Sequence, residues 1–408
     1  MSVFYFFAVI VIWLGILSLR NGLSYASYVR RETARPFPDF APFVSVIAPC
    51  RGLEDGLREN IAALFQQNYP SYEIIFVTDR ADDPVLGLID EVRREVQDAW
   101  QDGVERAAAR CVVAGPATDS GQKVHNLRAA VLEVDPRSEA LVFVDTDVRP
   151  HPGWLRSLVA PLVDERLGAS TGYRWFISLK GGIASHLRSV WNGSIASALG
   201  ERGDKNFCWG GSAAIRRSTF DDLGIRERWR GSVSDDFTMT RVLQEARLPI
   251  HFVPACLVPS LDQCTVGELL EFTNRQLKIT RVYAPHLWKP VLIGSLLFCA
   301  VFFGGVALVT VRGILGLPYM MPLVMVLLTY ALGAAKAGIR LRAVSIALPD
   351  YQKQLTKSLP AHLLLWPLAS ALFLINAVAA ACSRRINWRG ITYDLKSPTE
   401  AVIISRDK

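Results

Sequence analysis

The segment "EALVFVDTDVRPHPGW", residues 139–154, opens on an apolar run and finishes on two carboxylates, Asp145 and Asp147, followed by Pro150, Pro152 and Gly153. The run reads as a buried strand. Acids are depleted in strands and costly to bury without a partner, so two of them at a strand end call for something that neutralises them. Alone, an Asp-x-Asp here also reads as a solvated turn, and the surrounding sequence has to decide.

Upstream, strands and helices alternate. "VSVIAPC" (44–50) and "YEIIFVTD" (72–79) read as buried strands, with further strands expected at 111–114 and 140–145 and helices over 54–68, 83–99 and 122–133. This alternation implies a mostly parallel α/β sheet covered by helices on both faces. Ligands of such sheets bind beyond the carboxyl ends of the strands. Those ends are polar here: Pro49-Cys50-Arg51-Gly52, Thr78-Asp79-Arg80 and Asp145-Thr146-Asp147.

The 408-residue chain is 50% hydrophobic with a net charge of +7. Residues 2–19, 290–311 and 313–335 carry no charge apart from their flanks and are long enough to span a bilayer. The first lacks a basic leader and a small-x-small cleavage site, and reads as an anchor. Residues 358–382 are also uncharged but contain Pro360, His362 and Pro367. A fourth full span would place Arg384, Arg385 and Arg389 outside, against the positive-inside rule, so this segment is expected to be re-entrant or interfacial. The same rule, applied to Arg30, Arg31 and Arg35, puts residues 20–289 in the cytoplasm. The organisation expected is an anchor over 1–20, a catalytic domain over 40–262, an interface helix over 263–289, a membrane region over 290–382 and a cytosolic or interfacial tail over 383–408.

Seven scattered cysteines without C-x-x-C spacing and six histidines without an H-x-x-x-H pair speak against a zinc site. A metal, if bound, is held by oxygen. No basic-aromatic motif suggests nucleic acid, and attraction to anionic headgroups accounts for the basic balance.

Four further stretches carry candidate chemistry. "GQKVHNLRAAV" (121–131) places Lys123 and Asn126 at a helix start suited to a phosphate or a nucleobase. In "CWGGSAAIRR" (208–217), Gly210 and Gly211 would let backbone approach a ligand, and Trp209 would give a flat wall for a sugar or base. A plain Gly-Gly turn before a strand is the alternative, and the functional reading is the one favoured. "GSVSDDFTMTRVLQEARL" (231–248) starts a helix with Ser234, Asp235 and Asp236; both acids need not cap it, and one is free to act as a base. "TVGELLEFTNRQLKITRVYAPHLW" (265–288) mixes apolar residues with Arg275, Gln276, Lys278 and Arg281, as in a helix lying at a membrane surface.

Asp79, the Asp-x-Asp, Asp236 and the basic R-Q-x-K segment, in that order before membrane helices, resemble the family 2-type inverting glycosyltransferases. Within them the chain looks like the ceramide glucosyltransferase-like branch, to which "GYRWF" (172–176), "WGGSAAIRR" (209–217) and "SRRINWRGITYDL" (383–395) are also similar. The resemblance runs from about residue 3 to 395. It implies a GT-A fold, a Rossmann-like, mostly parallel sheet. It implies a donor site of Pro49, Arg51, Asp79, Asp83, Lys123, Asn126 and Asp145, with Mg2+ or Mn2+ at Asp147 and Asp145. Asp236, with Asp235 beside it, would be the catalytic base. Trp209, Gly210, Gly211, Arg275, Gln276, Lys278 and Arg281 would face the acceptor or the diphosphate. The chain departs from the family's (Q/R)-x-x-R-W pattern, with Lys278 for arginine and Ile279 for tryptophan. Lysine lacks the planar fork that suits a diphosphate. Either the acceptor differs, or Arg281 supplies a guanidinium one turn later.

The reaction implied is transfer of a hexose, glucose first, from a UDP-sugar to the hydroxyl of a lipid such as ceramide, diacylglycerol, a sterol or a hopanoid. The alternatives are a polysaccharide synthase, a polyprenyl-phosphate sugar transferase and, from another class, a non-catalytic membrane scaffold. Of the 45 basic residues, 35 are arginine, which suggests a GC-rich genome and a bacterial inner membrane.

Overall fold

The computed structural model describes residues 1–98 and 107–406; position 99, where the expected helix 83–99 ends, and residues 407 and 408 of the tail lie outside them. The chain forms two compact units. One comprises Met1–Arg31, Ile177–Ser197 and Gln263–Arg384, the other Glu32–Phe176, Ala198–Asp262 and Arg385–Lys408. The domain expected over 40–262 therefore loses residues 177–197 to the first unit, and the tail is part of the second.

The second unit is built on a seven-stranded sheet of β1 (Val44–Pro49), β2 (Tyr72–Thr78), β3 (Ala107–Val113), β4 (Ala140–Val144), β5 (Ala169–Phe176), β6 (Ser212–Arg216) and β7 (Ile250–Ser260). Their order is β3-β2-β1-β4-β6-β5-β7. β2, β1 and β4 are buried almost throughout, as their largely apolar sequences require in a sheet covered on both faces; the polar exceptions pair, Ser45 Oγ donating to Glu73 at 2.5 Å. β3 begins earlier than expected because its alanines give little strand signal; seven paired positions along β2 hold it in place. β7 carries Pro254 and Pro259, which suits a strand paired on one side to β5. β6 alone runs antiparallel to its neighbours. The loop before β6, rather than after it, thus lies at the edge where the other strands end.

The tail of this unit is a three-stranded antiparallel sheet of β8 (Arg385–Trp388), β9 (Ile391–Ser397) and β10 (Glu400–Arg406). Arg389 and Gly390 link β8 to β9, both with positive φ (50° and 72°). That is the backbone of a two-residue hairpin turn, and it is uncommon for a bulky residue such as Arg389.

The helical unit contains four helices long and apolar enough to cross a membrane, over Ser2–Ala34, Pro285–Ile314, Met320–Ala347 and Pro349–Cys382. The segment 358–382, expected to be re-entrant or interfacial, is part of one continuous helix, Gln352–Cys382, with Pro360 and Pro367 inside it. Membrane helices tolerate proline because neighbouring helices answer the freed backbone groups. The basic segment forms the helix Val266–Tyr283, opened by a capping box between Thr265 and Glu268. It stops at Ala284 because Pro285 follows. The helix Ile183–Ala196 also belongs to this unit, its Trp191 stacked on Phe373 with ring centroids 4.6 Å apart.

Candidate active site

The carboxyl ends of β1, β2 and β4, the loop before β6 and two helix starts bring most of the expected residues together. Asp145 and Asp147 follow β4. Lys123 lies in the first turn of the helix Gln122–Ala130, and its Nζ is 2.7 Å from Asp145 Oδ1 and 3.4 Å from Asp235 Oδ1. Gly121 allows this: its amide donates to Ser232, and a Cβ there would come within 2.9 Å of the Val233 backbone. The segment bearing Asp235 is thus drawn against the start of the Lys123 helix.

Sequence reasoning missed the residue that binds both acids of the Asp-x-Asp. Arg174, on β5, donates to Asp145 Oδ2 at 3.0 Å and to Asp147 at 3.1 and 3.3 Å. The only signal was its place in "GYRWF". Burial works against its charge, but Asp147 and Asp145 more than compensate and hold its pKa above the ordinary arginine range. Likewise, burial pushes Asp145 up, yet Lys123 and Arg174 hold it below the usual carboxylate range. Burial lowers Lys123, and Asp145 and Asp235 overcome it. Asp235 is pushed up to about 6 by burial, opposed by Lys123 and reinforced by Asp236 and Asp145. The expensive acids of the opening segment are therefore neutralised by the protein's own cations.

The glycines before β6 serve this network. A Cβ on Gly210 would lie 2.0 Å from Asp235 Oδ2, and one on Gly211 would strike the Trp209 ring and come within 2.7 Å of Asp145 Oδ2. Trp209 is itself buried, with the Arg174 guanidinium 4.9 Å from its ring centroid. Close internal packing, rather than an open wall for a ligand, accounts for Trp209-Gly210-Gly211.

Ser234 caps the helix Asp235–Glu245, accepting from the Phe237 amide at 3.3 Å. Asp236 Oδ1 accepts from the Ser234 hydroxyl and, at 2.7 Å, from the Phe237 amide. Its Oδ2 takes no hydrogen bond among the described residues, and the side chain is half-buried. The two adjacent acids thus divide, Asp235 inward to Lys123 and Asp236 with one oxygen left over.

Asp79, at the end of β2, is 5% exposed, and its Oδ1 has no hydrogen-bond partner. Arg51 Nε is 3.9 Å from its other oxygen. An orphaned carboxylate oxygen at a strand end points to a donor supplied by a ligand. Asp83 is different. Its carboxylate accepts from the Gly52 amide at 3.0 and 3.1 Å, from the Val85 amide at 2.9 Å and from Thr78 Oγ1 at 3.2 Å. It holds the turn after β1 and the start of the next helix. Asn126 is also engaged locally, its Oδ1 accepting from Gln122 Nε2 at 2.8 Å. The carbonyl of Pro49 accepts from Thr146 Oγ1 at 3.3 Å.

The tail reaches the same strand ends. Tyr393 Oη accepts from the Gln122 amide at 3.1 Å, so the first amide of the Lys123 helix is answered within the protein. Arg406 donates to Gln122 Oε1 at 3.1 Å and to the Ala117 carbonyl. Arg389, at the hairpin turn, donates to the Arg51 carbonyl at 3.1 Å and pairs with Glu54 at 2.8 Å. "INWRGITYDL" has the x-Gly between two strand-like runs that marks such a turn.

Arg275, Gln276, Lys278 and Arg281 lie on the helix Val266–Tyr283 of the helical unit. Arg281 donates to the carbonyls of Ala380 and, at 2.9 Å, Ala381, and lies 5.4 Å from the Trp288 ring centroid. Its guanidinium ties that helix to the end of Gln352–Cys382. Burial pulls Lys278 below the ordinary lysine range.

The family model described as Glycosyl transferase family 21 matches residues 4–401. Over 275 residues the chain is 21% identical to ceramide glucosyltransferase 1 of Caenorhabditis elegans, a match covering 64% of this chain and 55% of that protein. The chain thus spans little more than half the length of that relative. Among solved structures it is similar to a mannosyltransferase of Pyrobaculum calidifontis in complex with GDP-Man and Mn2+, at 19% identity and a TM-score of 0.46, covering 92% of this chain and 98% of that one. It is also similar to glucosyl-3-phosphoglycerate synthase of Mycobacterium tuberculosis with Mn2+ and UDP-Glc, at 14% identity and a TM-score of 0.36, covering 63% and 82%.

Proposed function

The chain belongs to glycosyl transferase family 21, and from that premise we propose that this glycosyltransferase moves a hexose, glucose first, from a UDP-sugar to the hydroxyl of a membrane lipid. Ceramide, diacylglycerol, a sterol and a hopanoid all present such a hydroxyl near the headgroup plane. The observation that carries the reading is the division of labour among the acids. Asp79 keeps a buried oxygen unanswered, Asp145 and Asp147 share Arg174, and Asp236 keeps Oδ2 open. The name of the nematode relative supports glucose and a lipid acceptor. The catalytic unit lies on the cytosolic side of a bacterial inner membrane in this reading.

In the proposed mechanism Asp79 accepts a hydrogen bond from the nucleobase and, with Arg51 beside it, orients the donor. Asp236 Oδ2 takes the proton of the acceptor hydroxyl. The freed oxygen attacks the anomeric carbon from the face opposite the UDP, whose bond breaks with its electron pair going to the diphosphate. A single displacement inverts the anomeric centre. Lys123 fixes Asp145 and Asp235, so the network beneath the sugar is held before the donor arrives.

Two carboxylates, with diphosphate oxygens and water completing the shell, fit Mg2+ or Mn2+. No third His, Cys, Asp or Glu joins them among the described residues. Such a cation, held by Asp147 and Asp145, would supply charge stabilisation to the leaving diphosphate.

Membranes bearing the protein, incubated with radiolabelled UDP-glucose, UDP-galactose and UDP-N-acetylglucosamine, should label one lipid, with glucose the preferred sugar. Asp236→Asn should fold normally and lose roughly 10²–10⁴-fold in rate, the usual worth of a general base. A normally folded variant with undiminished transfer removes Asp236 from its role, and absence of any labelled lipid removes the acceptor class.

A further inference from the structure

Outside the catalytic unit, the least expected chemistry is a buried arginine beside a half-buried lysine in the helical unit. Lys336 and Arg340 stand four residues apart on the helix Met320–Ala347 and so share a face. Arg340 is 4% exposed. Its Nη1 donates to Ser194 Oγ at 3.2 Å, and its buried Nε meets no acceptor. Lys336 Nζ donates to Ser18 Oγ at 2.7 Å, its stem lying against Gly22, where an added Cβ would come within 3.1 Å of Lys336 Cγ.

The other ionisable groups within electrostatic reach of Arg340 are Tyr25, on Ser2–Ala34, and His362, on Gln352–Cys382. His362 is wholly buried, with Nε2 3.4 Å from Ser189 Oγ. None of these is an acid. The whole unit contains only Glu268, Glu271 and Asp350, and among the described residues neither Lys336 nor Arg340 forms an ion pair.

Taking a guanidinium out of water without an opposite charge is costly, and ionisable groups within membrane helices are rare and mark function by default. The site offers an ammonium, a guanidinium with an unused Nε and serine hydroxyls, all able to donate. That set matches phosphate oxygens, and the guanidinium fork suits them especially. Basic pockets between membrane helices are places where lipid headgroups bind.

We propose that Lys336 and Arg340, with the hydroxyls of Ser18 and Ser194, bind the phosphate of an anionic membrane phospholipid. The helices around the site are long and apolar enough to lie among lipid tails, which identifies the phosphate's carrier as a lipid. The site is independent of the donor reading, since it involves no residue assigned to sugar transfer.

The test uses the full chain. Native mass spectrometry of the protein extracted in mild detergent should show a retained phospholipid. In nanodiscs, dioleoylphosphatidylglycerol should raise the unfolding midpoint above that in dioleoylphosphatidylcholine by at least about 2 °C. Arg340→Met should abolish the difference. Equal midpoints in the two lipids, or a variant that keeps the shift, overturn the proposal. Inorganic phosphate reproducing the shift in phosphatidylcholine overturns the lipid assignment in favour of a free anion. If the variant does not fold, the wild-type measurements still decide. None requires glycosyl transfer, so failure here is distinguishable from failure of the proposed reaction.

Discussion

The two units treat charge in opposite ways. The helical unit holds 16 Lys and Arg against three Asp and Glu, and the rest of the chain 29 against 35. At the candidate active site Asp145, Asp147 and Asp235 are answered by Lys123 and Arg174. In the helical unit, among the described residues, Lys336 and Arg340 are answered only by hydroxyls. A charge paired within the protein can take a ligand only by exchange, so such a site is preformed and a ligand must displace something. A buried charge without an opposite partner leaves the compensation to come from outside. One network is opened by its ligand and the other is completed by it.

The strongest way to break that contrast is to remove one cation from each unit. Lys123→Met leaves the buried Asp235 and the half-buried Asp145 without the ammonium between them, and should cost roughly 3 kcal/mol of stability, the lower end for breaking a buried pair. Arg340→Met, in nanodiscs of phosphatidylcholine alone, removes an uncompensated charge and one hydrogen bond to a neutral hydroxyl. It should cost no more than about 1 kcal/mol. Unfolding midpoints of both variants, measured in the same zwitterionic lipid, give the comparison directly. If Arg340→Met is as damaging as Lys123→Met, Arg340 has a compensating partner inside the protein and the contrast fails.

How much of this was legible in the sequence follows from the range of the interactions. β1, β2 and β4 declare themselves because each is largely apolar and buried, and with them come the strand ends bearing Asp79, Asp145 and Asp147. The capping chemistry at Ser234 is equally local. Arg174 was not legible as a clamp. It lies 27 residues beyond Asp147, and only the crossover that seats β5 beside β6 brings the guanidinium back to the Asp-x-Asp. Tyr393 is further still, 271 residues from the amide it accepts. The packing role of Gly210 and Gly211 was hidden for the same reason. Their small size is explained by Asp235 and Asp145, which the sequence does not place beside them. Lys336 and Arg340 carry no such signal in the sequence, because packing between helices leaves no local trace.

Arg174 sharpens the comparison at intermediate scale. If Asp145 and Asp147 hold a divalent cation as proposed, the Arg174 guanidinium competes with it for the same carboxylates, and donor-free enzyme should bind metal weakly. Arg174→Gln removes the competing charge while keeping a shorter, neutral polar side chain. Two charges a few ångströms apart near a protein surface interact by roughly 1–4 kcal/mol, so affinity for Mn2+ without UDP should rise by about tenfold or more. Free Mn2+ measured by electron paramagnetic resonance reads this without reference to activity. Unchanged affinity would mean that Arg174 does not hold the acids against the metal.

The smallest expected effect separates two roles for the tail. Tyr393 answers the first amide of the Lys123 helix, and Arg51 and Asp79 are among its electrostatic neighbours. Burial pushes its phenol pKa up, so the hydroxyl keeps its proton at neutral pH. Tyr393→Phe deletes only the oxygen, leaving the ring to pack in β9. The loss of one hydrogen bond should cost about 1 kcal/mol. If the tail merely braces the helix, that cost appears in the unfolding midpoint and the affinity for UDP is unchanged. If the hydroxyl also helps to hold Lys123 and Asp79 in register for the donor, UDP affinity by calorimetry should fall as well, by less than about tenfold. A fall in affinity with an unmoved midpoint would assign the oxygen to the ligand rather than to the helix. The hairpin would then belong to the donor site itself, with the positive φ of Arg389 as part of what positions it.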